Sequence, residues 1–315
     1  MSEFLVDADT LANARFGTSQ FAETVSALRL LRAPVEPWFR PWKDTHGPAY
    51  QAALAAHPVW AALVDSAFGR SWLADFLTVP PSAPDLELRH ELEPLLALSD
   101  ERIRADLGFV RTPLPPVLVE TRGLAAAAAD LLRWLWTTTV EPDWPRRARL
   151  LRADIVSRTS RLSEQGWSGV LRGLGPDVRW LGDGRIQVNR WDYPTTDVRG
   201  GDLLFIATHS QRVHVSWLPP SRYAIVYPVT GIFAATAPAD EPLVRLLGRN
   251  RARVLAAAAE PVSTTSLVAA TGLSLATVSG HLRVLSDAGL LERRRSGRSV
   301  LYWQSGTGRR VAGAR

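Results

Sequence analysis

The sequence predicts an α+β chain in two parts. The first is mostly helical with a small antiparallel sheet; the second is a shorter helical segment ending in two strands. Three observations lead there. Helix-spaced apolar stripes dominate residues 9–172, β-rich runs separated by turn residues fill 178–234, and the charge changes sign near residue 240. Residues 1–239 hold 25 Lys+Arg against 26 Asp+Glu, a net of −1, whereas 240–315 hold 12 Arg against 5 acids, a net of +7. At 315 residues the chain divides into domains 1–239 and 240–315, each long enough to bury its own core.

In the first part, "SQFAETVSALRLLR" sets Phe21, Val25, Leu28 and Leu31 on one helical stripe, and "RGLAAAAADLLRWLW" carries a second apolar helix. "LELRHELEPLLALSDERIRADL" is amphipathic around Pro94, which predicts a split or a kink. Four strand-like runs follow, "RIQVNRW", "DLLFIATH", "RVHVSWL" and "YAIVYPV", whose spacing predicts one small sheet. "TAPADEP" at 236–242 is a Pro/Ala hinge, with Asp240 suited to cap the helix that follows.

Beyond the hinge the elements are short. "EPLVRLLG" is a helix closed by Gly248, and "NRARVLAAAAEP" is a second with Asn250 as its expected N-cap. Ser263 or Thr264 starts "STTSLVAAT", Gly272 breaks it, and Ser274 caps "LATVSGHLRVLSDAG". Along that last helix Leu275, Val278, Leu282 and Leu285 fall on a core face. Ala276, Gly280, Arg283 and Asp287 lie opposite, flanked by Thr277 and Ser279, with His281 at the edge of the apolar stripe. "LLERRRSGRSVLYWQ" reads as two strands turning at Ser296-Gly297, with Arg293, Arg294, Arg295 and Arg298 around the tip. Helix, glycine turn, helix and basic hairpin together make a winged helix-turn-helix.

Composition narrows the function further. No cysteine is present, so disulfides, thiolate metal sites and cysteine nucleophiles are excluded. No apolar run approaches the roughly 20 residues of a membrane span, and the acidic start "MSEFLVDADT" is unlike a signal peptide; a soluble, cytoplasmic protein is expected. The excess of arginine after residue 240, in two clusters flanking the helix-turn-helix, is the electrostatic footprint of a nucleic-acid-binding domain, and the helix-turn-helix makes double-stranded DNA the expected partner.

The segment "TTSLVAATGLSLATVSGHLRVLSDAGLLERRRSGRSVLYW" closely resembles the DNA-binding domain of ArsR/SmtB-type bacterial repressors. More loosely, "ARFGTSQFAETVSALRLLR" and "DLLFIATHSQRVHVSW" with "YAIVYPVTGIF" resemble an uncharacterised domain that precedes this winged helix in a group of actinobacterial regulators. The first resemblance implies a homodimeric repressor that lays residues 274–288 into the major groove of an inverted repeat. Its DNA-facing positions fall on Ala276, Thr277, Ser279 and Gly280, with Arg298 at the wing; Ser274, His281, Arg283 and Arg295 complete the candidate interface. The metal-sensing members carry cysteines on the helix matching "STTSLVAAT", and this chain has none, so the likeness covers DNA binding and not metal sensing.

Residues 1–239 contain no GxSxG, HExxH, Walker loop or GxGxxG. His209 and His214 are five apart, on opposite faces of a strand, and so unsuited to share a metal. Glu87 and Glu91 stand at i, i+4 and read as a solvated helix face. No catalytic residue, cofactor or metal ligand is therefore expected; an enzyme of unknown reaction carrying a DNA-binding appendage is the competing reading. Eleven of the 12 tryptophans lie here. Aromatic packing accounts for them as well as the wall of a small-molecule effector pocket would. Trp134 and Trp136, about 200° apart on a helix, cannot both face one core.

Overall fold

Ser19 starts the helix around which the first unit is built. Its hydroxyl accepts from the Ala22 N–H, and the helix Gln20–Arg32 follows. The predicted stripe of Phe21, Val25, Leu28 and Leu31 is buried. So is almost every other side of the helix: ten of its 13 residues are buried, Glu23 and Thr24 among them. The computed structural model describes residues 1–35, 39–229, 241–259, 262–296 and 299–312, so the expected hinge at 236–242 lies mostly outside them. By packing, the chain forms two units: Met1–Pro34 with Lys43–Trp144 and Leu171–Pro228, and Val35–Trp42 with Pro145–Val170 and Val229–Arg315.

The first unit contains eight strands: β1 (Ser2–Leu5), β2 (Arg15–Thr18), β3 (Arg179–Gly182), β4 (Arg185–Asn189), β5 (Thr196–Asp197), β6 (Asp202–Thr208), β7 (His214–Leu218) and β8 (Arg222–Pro228). They make two four-stranded sheets, ordered β3-β4-β1-β5 and β2-β6-β8-β7. The expectation of one small antiparallel sheet is corrected on both counts. Two short N-terminal strands supply partners that split the four predicted runs between the sheets. In the second sheet β2, β6 and β8 run parallel, and only β7 pairs antiparallel, with β8. The reason is visible in β6, where six consecutive residues are buried. A strand covered on both faces carries a continuous apolar run, as "LLFIA" does, not the alternation of a one-faced antiparallel strand. Ala22 of the central helix packs onto this sheet against Leu204, Ile206, Ala224 and Val226.

Pro94 does split the amphipathic segment, into Leu88–Glu91, Glu93–Leu96 and Asp100–Val110. Its two glutamates part company. Glu87 is exposed, whereas Glu91 is buried, accepting from Ser19 Oγ at 3.0 Å and from the Phe21 N–H at 2.5 Å. The solvated pair expected at 87 and 91 is thus half wrong, because Glu91 pins the start of the central helix. Glu23, fully buried, accepts from the His209 backbone N–H at 2.9 Å and lies 2.6 Å from His209 Nδ1. His214 pairs instead with Arg29, so the two histidines have separate partners. Trp134 and Trp136 diverge as expected, the first toward Trp60 at 6.2 Å and the second toward Trp144 at 5.2 Å.

In the second unit the helices Glu241–Leu247, Arg249–Ala257, Thr264–Thr271, Leu275–Asp287 and Gly306–Val311 surround a three-stranded sheet. Its strands are β9 (Val262–Ser263), β10 (Leu291–Ser296) and β11 (Ser299–Gln304), in the order β10-β11-β9. The core runs from Leu243 through Val254, Leu255 and Leu267 to Val278, Leu282 and Leu285.

Candidate nucleic-acid interface

Serines start both helices of the turn motif. Ser263 Oγ accepts from the Ser266 N–H at 3.1 Å, and Ser274 Oγ from the Thr277 N–H at 3.2 Å. Between them Gly272 takes the left-handed conformation, φ +67°, that closes Thr264–Thr271 and turns the chain. Arg253, from the preceding helix, donates to the Thr271 carbonyl at 2.6 Å and fixes that end. Gly248 closes Glu241–Leu247 as expected, but it is also the N-cap of Arg249–Ala257, a place the sequence assigned to Asn250. Its φ of +80° lets the second helix begin one residue after the first ends.

Val278, Leu282 and Leu285 face the core, all at or below 1% exposure, while Leu275 is 60% exposed. This corrects the four-residue stripe: Leu275 lies about 60° from Val278 around the axis and in the first turn, where the helix end projects past the core. On the outer side Ser274, Ala276, Ser279, Gly280, Arg283 and Asp287 are all exposed. One face of the helix is therefore core and the other is free, and the free face carries the predicted residues together.

The Thr277 side chain is half-buried, with its hydroxyl 2.8 Å from Ser274 Oγ, so it belongs to the cap as well as to the outer face. His281 is also half-buried, and its Nε2 has no protein partner among the described residues. Gly280 has no structural reason to be glycine: it sits in the helix interior, and a Cβ added there would meet nothing within 4 Å.

The hairpin pairs Leu291 with Gln304 at its base and Ser296 with Ser299 at its tip. Ser296, expected in the turn, still belongs to the strand, and Gly297 and Arg298 lie outside the described residues. By the pleat, Leu291, Arg293 and Arg295 share one face and Glu292 and Arg294 the other. Leu291 is in the core, and all three arginines further along are exposed. On the outer face Trp303 Nε1 donates to Glu292 at 3.1 Å. The base is tied down by Gln304, whose backbone N–H reaches the Ala258 carbonyl and whose side chain reaches the Leu255 carbonyl, each at 2.8 Å. The helix Gly306–Val311 was missed from the sequence, and Arg309 and Arg310 belong to it. They occupy its last turn, the favourable end for cations.

A family model for a helix-turn-helix domain matches residues 246–294. No curated protein and no solved structure matches the chain. Fold and match together define the class: the chain is a DNA-binding transcriptional regulator with a C-terminal helix-turn-helix domain, which the hairpin of β10 and β11 completes as a winged helix. Among the described residues no helix is long and apolar enough to cross a membrane.

Proposed function

We propose that this regulator is an ArsR/SmtB-type repressor. It acts in the cytoplasm as a homodimer on an inverted repeat, by binding and without catalysis, metal or cofactor. The helix Leu275–Asp287 enters the major groove with Ser274, Ala276, Thr277, Ser279, Gly280 and Arg283 toward the DNA. The wings, with Arg295 and Arg298, reach the flanking minor groove or backbone, and two-fold symmetry sets half-sites a helical turn or a multiple apart. The first unit receives a non-metal small-molecule effector, which biases the dimer only through unequal affinity for two states.

The observation that carries this reading is the free face of that helix. Gly280 costs the helix about 1 kcal/mol relative to alanine, with no packing or backbone return. A bare patch at Ala276 and Gly280 lets the helix backbone approach the groove floor, leaving Ser279 and Arg283 to reach base edges and phosphates. The test is sequencing of genomic fragments captured by the full-length chain at moderate salt. An enriched inverted repeat is expected; unspecific capture that collapses with added salt contradicts the reading.

A further inference from the structure

In the first unit, residues brought together from positions 2 to 217 line a partly open cavity of about 150 Å³. Its walls are aromatic. The Trp72 ring lies 4.8 Å from that of Tyr193 and 5.1 Å from that of Trp217, and the Tyr193 hydroxyl is held by Ser71 at 2.7 Å. Its charge is lopsided: Arg29, Arg70 and Arg212 line it against one carboxylate, Asp75. Asp75 is compensated by Arg102, 3.6 Å away. Burial pushes the Asp75 carboxyl up, against hydrogen bonds from the Trp217 and Trp72 side chains and the Arg102 charge.

Arg29 lacks such compensation. Its Nη1 lies 3.1 Å from His214 Nδ1. Burial and the Arg29 charge hold the His214 imidazole well below its usual range, against a backbone hydrogen bond to Arg212, so the ring is a neutral acceptor. Among the described residues no carboxylate pairs with Arg29. Burial and the like charge of Arg212 push its guanidinium down to about 10, which leaves it cationic at neutral pH. A half-buried cation without a counter-ion is costly, and here it stands on the wall of an aromatic cavity. A cavity of this size holds one benzene-sized ring, and a guanidinium offers a carboxylate two parallel hydrogen bonds.

We propose that this cavity is a binding site for a monocyclic aromatic carboxylate, its ring among Trp72, Trp217 and Tyr193 and its carboxylate on Arg29. Only the regulatory consequence rests on the reading of the first unit as an effector domain; the binding does not. The experiment is calorimetric titration of the full-length chain with benzoate, phenylacetate and salicylate, with benzamide as the neutral isostere of benzoate, alongside DNA affinity with and without ligand. At least one carboxylate is expected to bind more tightly than about 1 mM, with benzoate exceeding benzamide by about tenfold. Arg29→Gln should abolish that preference and leave benzamide unchanged. Arg212→Gln, at an exposed position, should reduce it and covers the case in which Arg29→Gln does not fold. Failure of all three carboxylates to bind, or equal binding of benzoate and benzamide, overturns the proposal. Carboxylate binding that leaves DNA affinity unchanged supports the site and overturns the effector role instead.

Discussion

The winged helix, residues 241–312, and the first unit handle charge in opposite ways. In the winged helix Arg283, Arg293 and Arg294 are exposed and the core from Leu243 to Leu291 is aliphatic. In the first unit charged groups are drawn inward: Glu23 and Glu91 are buried, and Arg29 is partly enclosed at an aromatic cavity. An exposed arginine does little for folding, and its charge stands where phosphate can reach it. A buried glutamate is tied to the fold, because removing it strands the donors it satisfied. Substitutions should therefore separate the units, the inner charges changing stability and the outer ones changing DNA binding.

The largest effect should come from Glu23→Ala. It leaves the His209 backbone N–H and imidazole without their acceptor in a fully buried site, at a cost of about 3 kcal/mol. Urea denaturation followed by tryptophan fluorescence reads this directly, since eleven of the 12 tryptophans precede residue 240. Unchanged stability would break the contrast. Next is Gly308→Ala in the second unit, where an added Cβ would lie 2.0 Å from the Leu290 carbonyl oxygen. Overpacking of this kind costs about 2 kcal/mol, and a lowered melting temperature should report it.

Gly280→Ala should do the reverse, stabilising the helix by about 1 kcal/mol while weakening DNA binding or altering its sequence preference. A gain in stability with unchanged DNA binding would show that the bare face is not used. Arg283→Ala should leave stability nearly unchanged, weaken binding to all sequences if the contact is to phosphate, and lower the salt slope by about one unit. The smallest effect is in pH. Burial raises the Glu91 carboxyl to about 8, against hydrogen bonds from Phe21 and Ser19. The folded state then holds a proton that the unfolded state releases at ordinary glutamate pKa. The Glu91 contribution is thus fully present below about 4.5 and is lost as pH rises toward 8. Melting temperatures of the wild type and Glu91→Gln should diverge over that window, the wild type falling relative to the variant.

The same contrast explains what could be read from the sequence. The winged helix was legible because its signals are local: Ser263 and Ser274 cap adjacent helices, Gly272 and Gly289 end them, and the arginines alternate along one strand. Its errors are local too, at Leu275 and Asn250, each displaced by the geometry of an element end. In the first unit the decisive pairings are distant. Glu23 meets His209 and Arg29 meets His214 across 186 and 185 residues. No spacing rule distinguishes Glu91, which is buried, from Glu87 one turn earlier, which is not. The strand "RFGT" is too short to stand out and exists because β6 lies beside it. The parallel character of that sheet was signalled by the unbroken apolar run of β6, which alternation alone does not capture.

Sequence reading by the exposed helix face is the central proposal for this molecule. The direct test is a competition titration of the full-length chain at physiological salt, between the best fragment recovered by genomic capture and a scrambled duplex of equal length. A preference of about a thousandfold or more is expected, lost in Gly280→Ala and Arg283→Ala together. Equal affinity for the two duplexes, falling in parallel as salt is added, would contradict it.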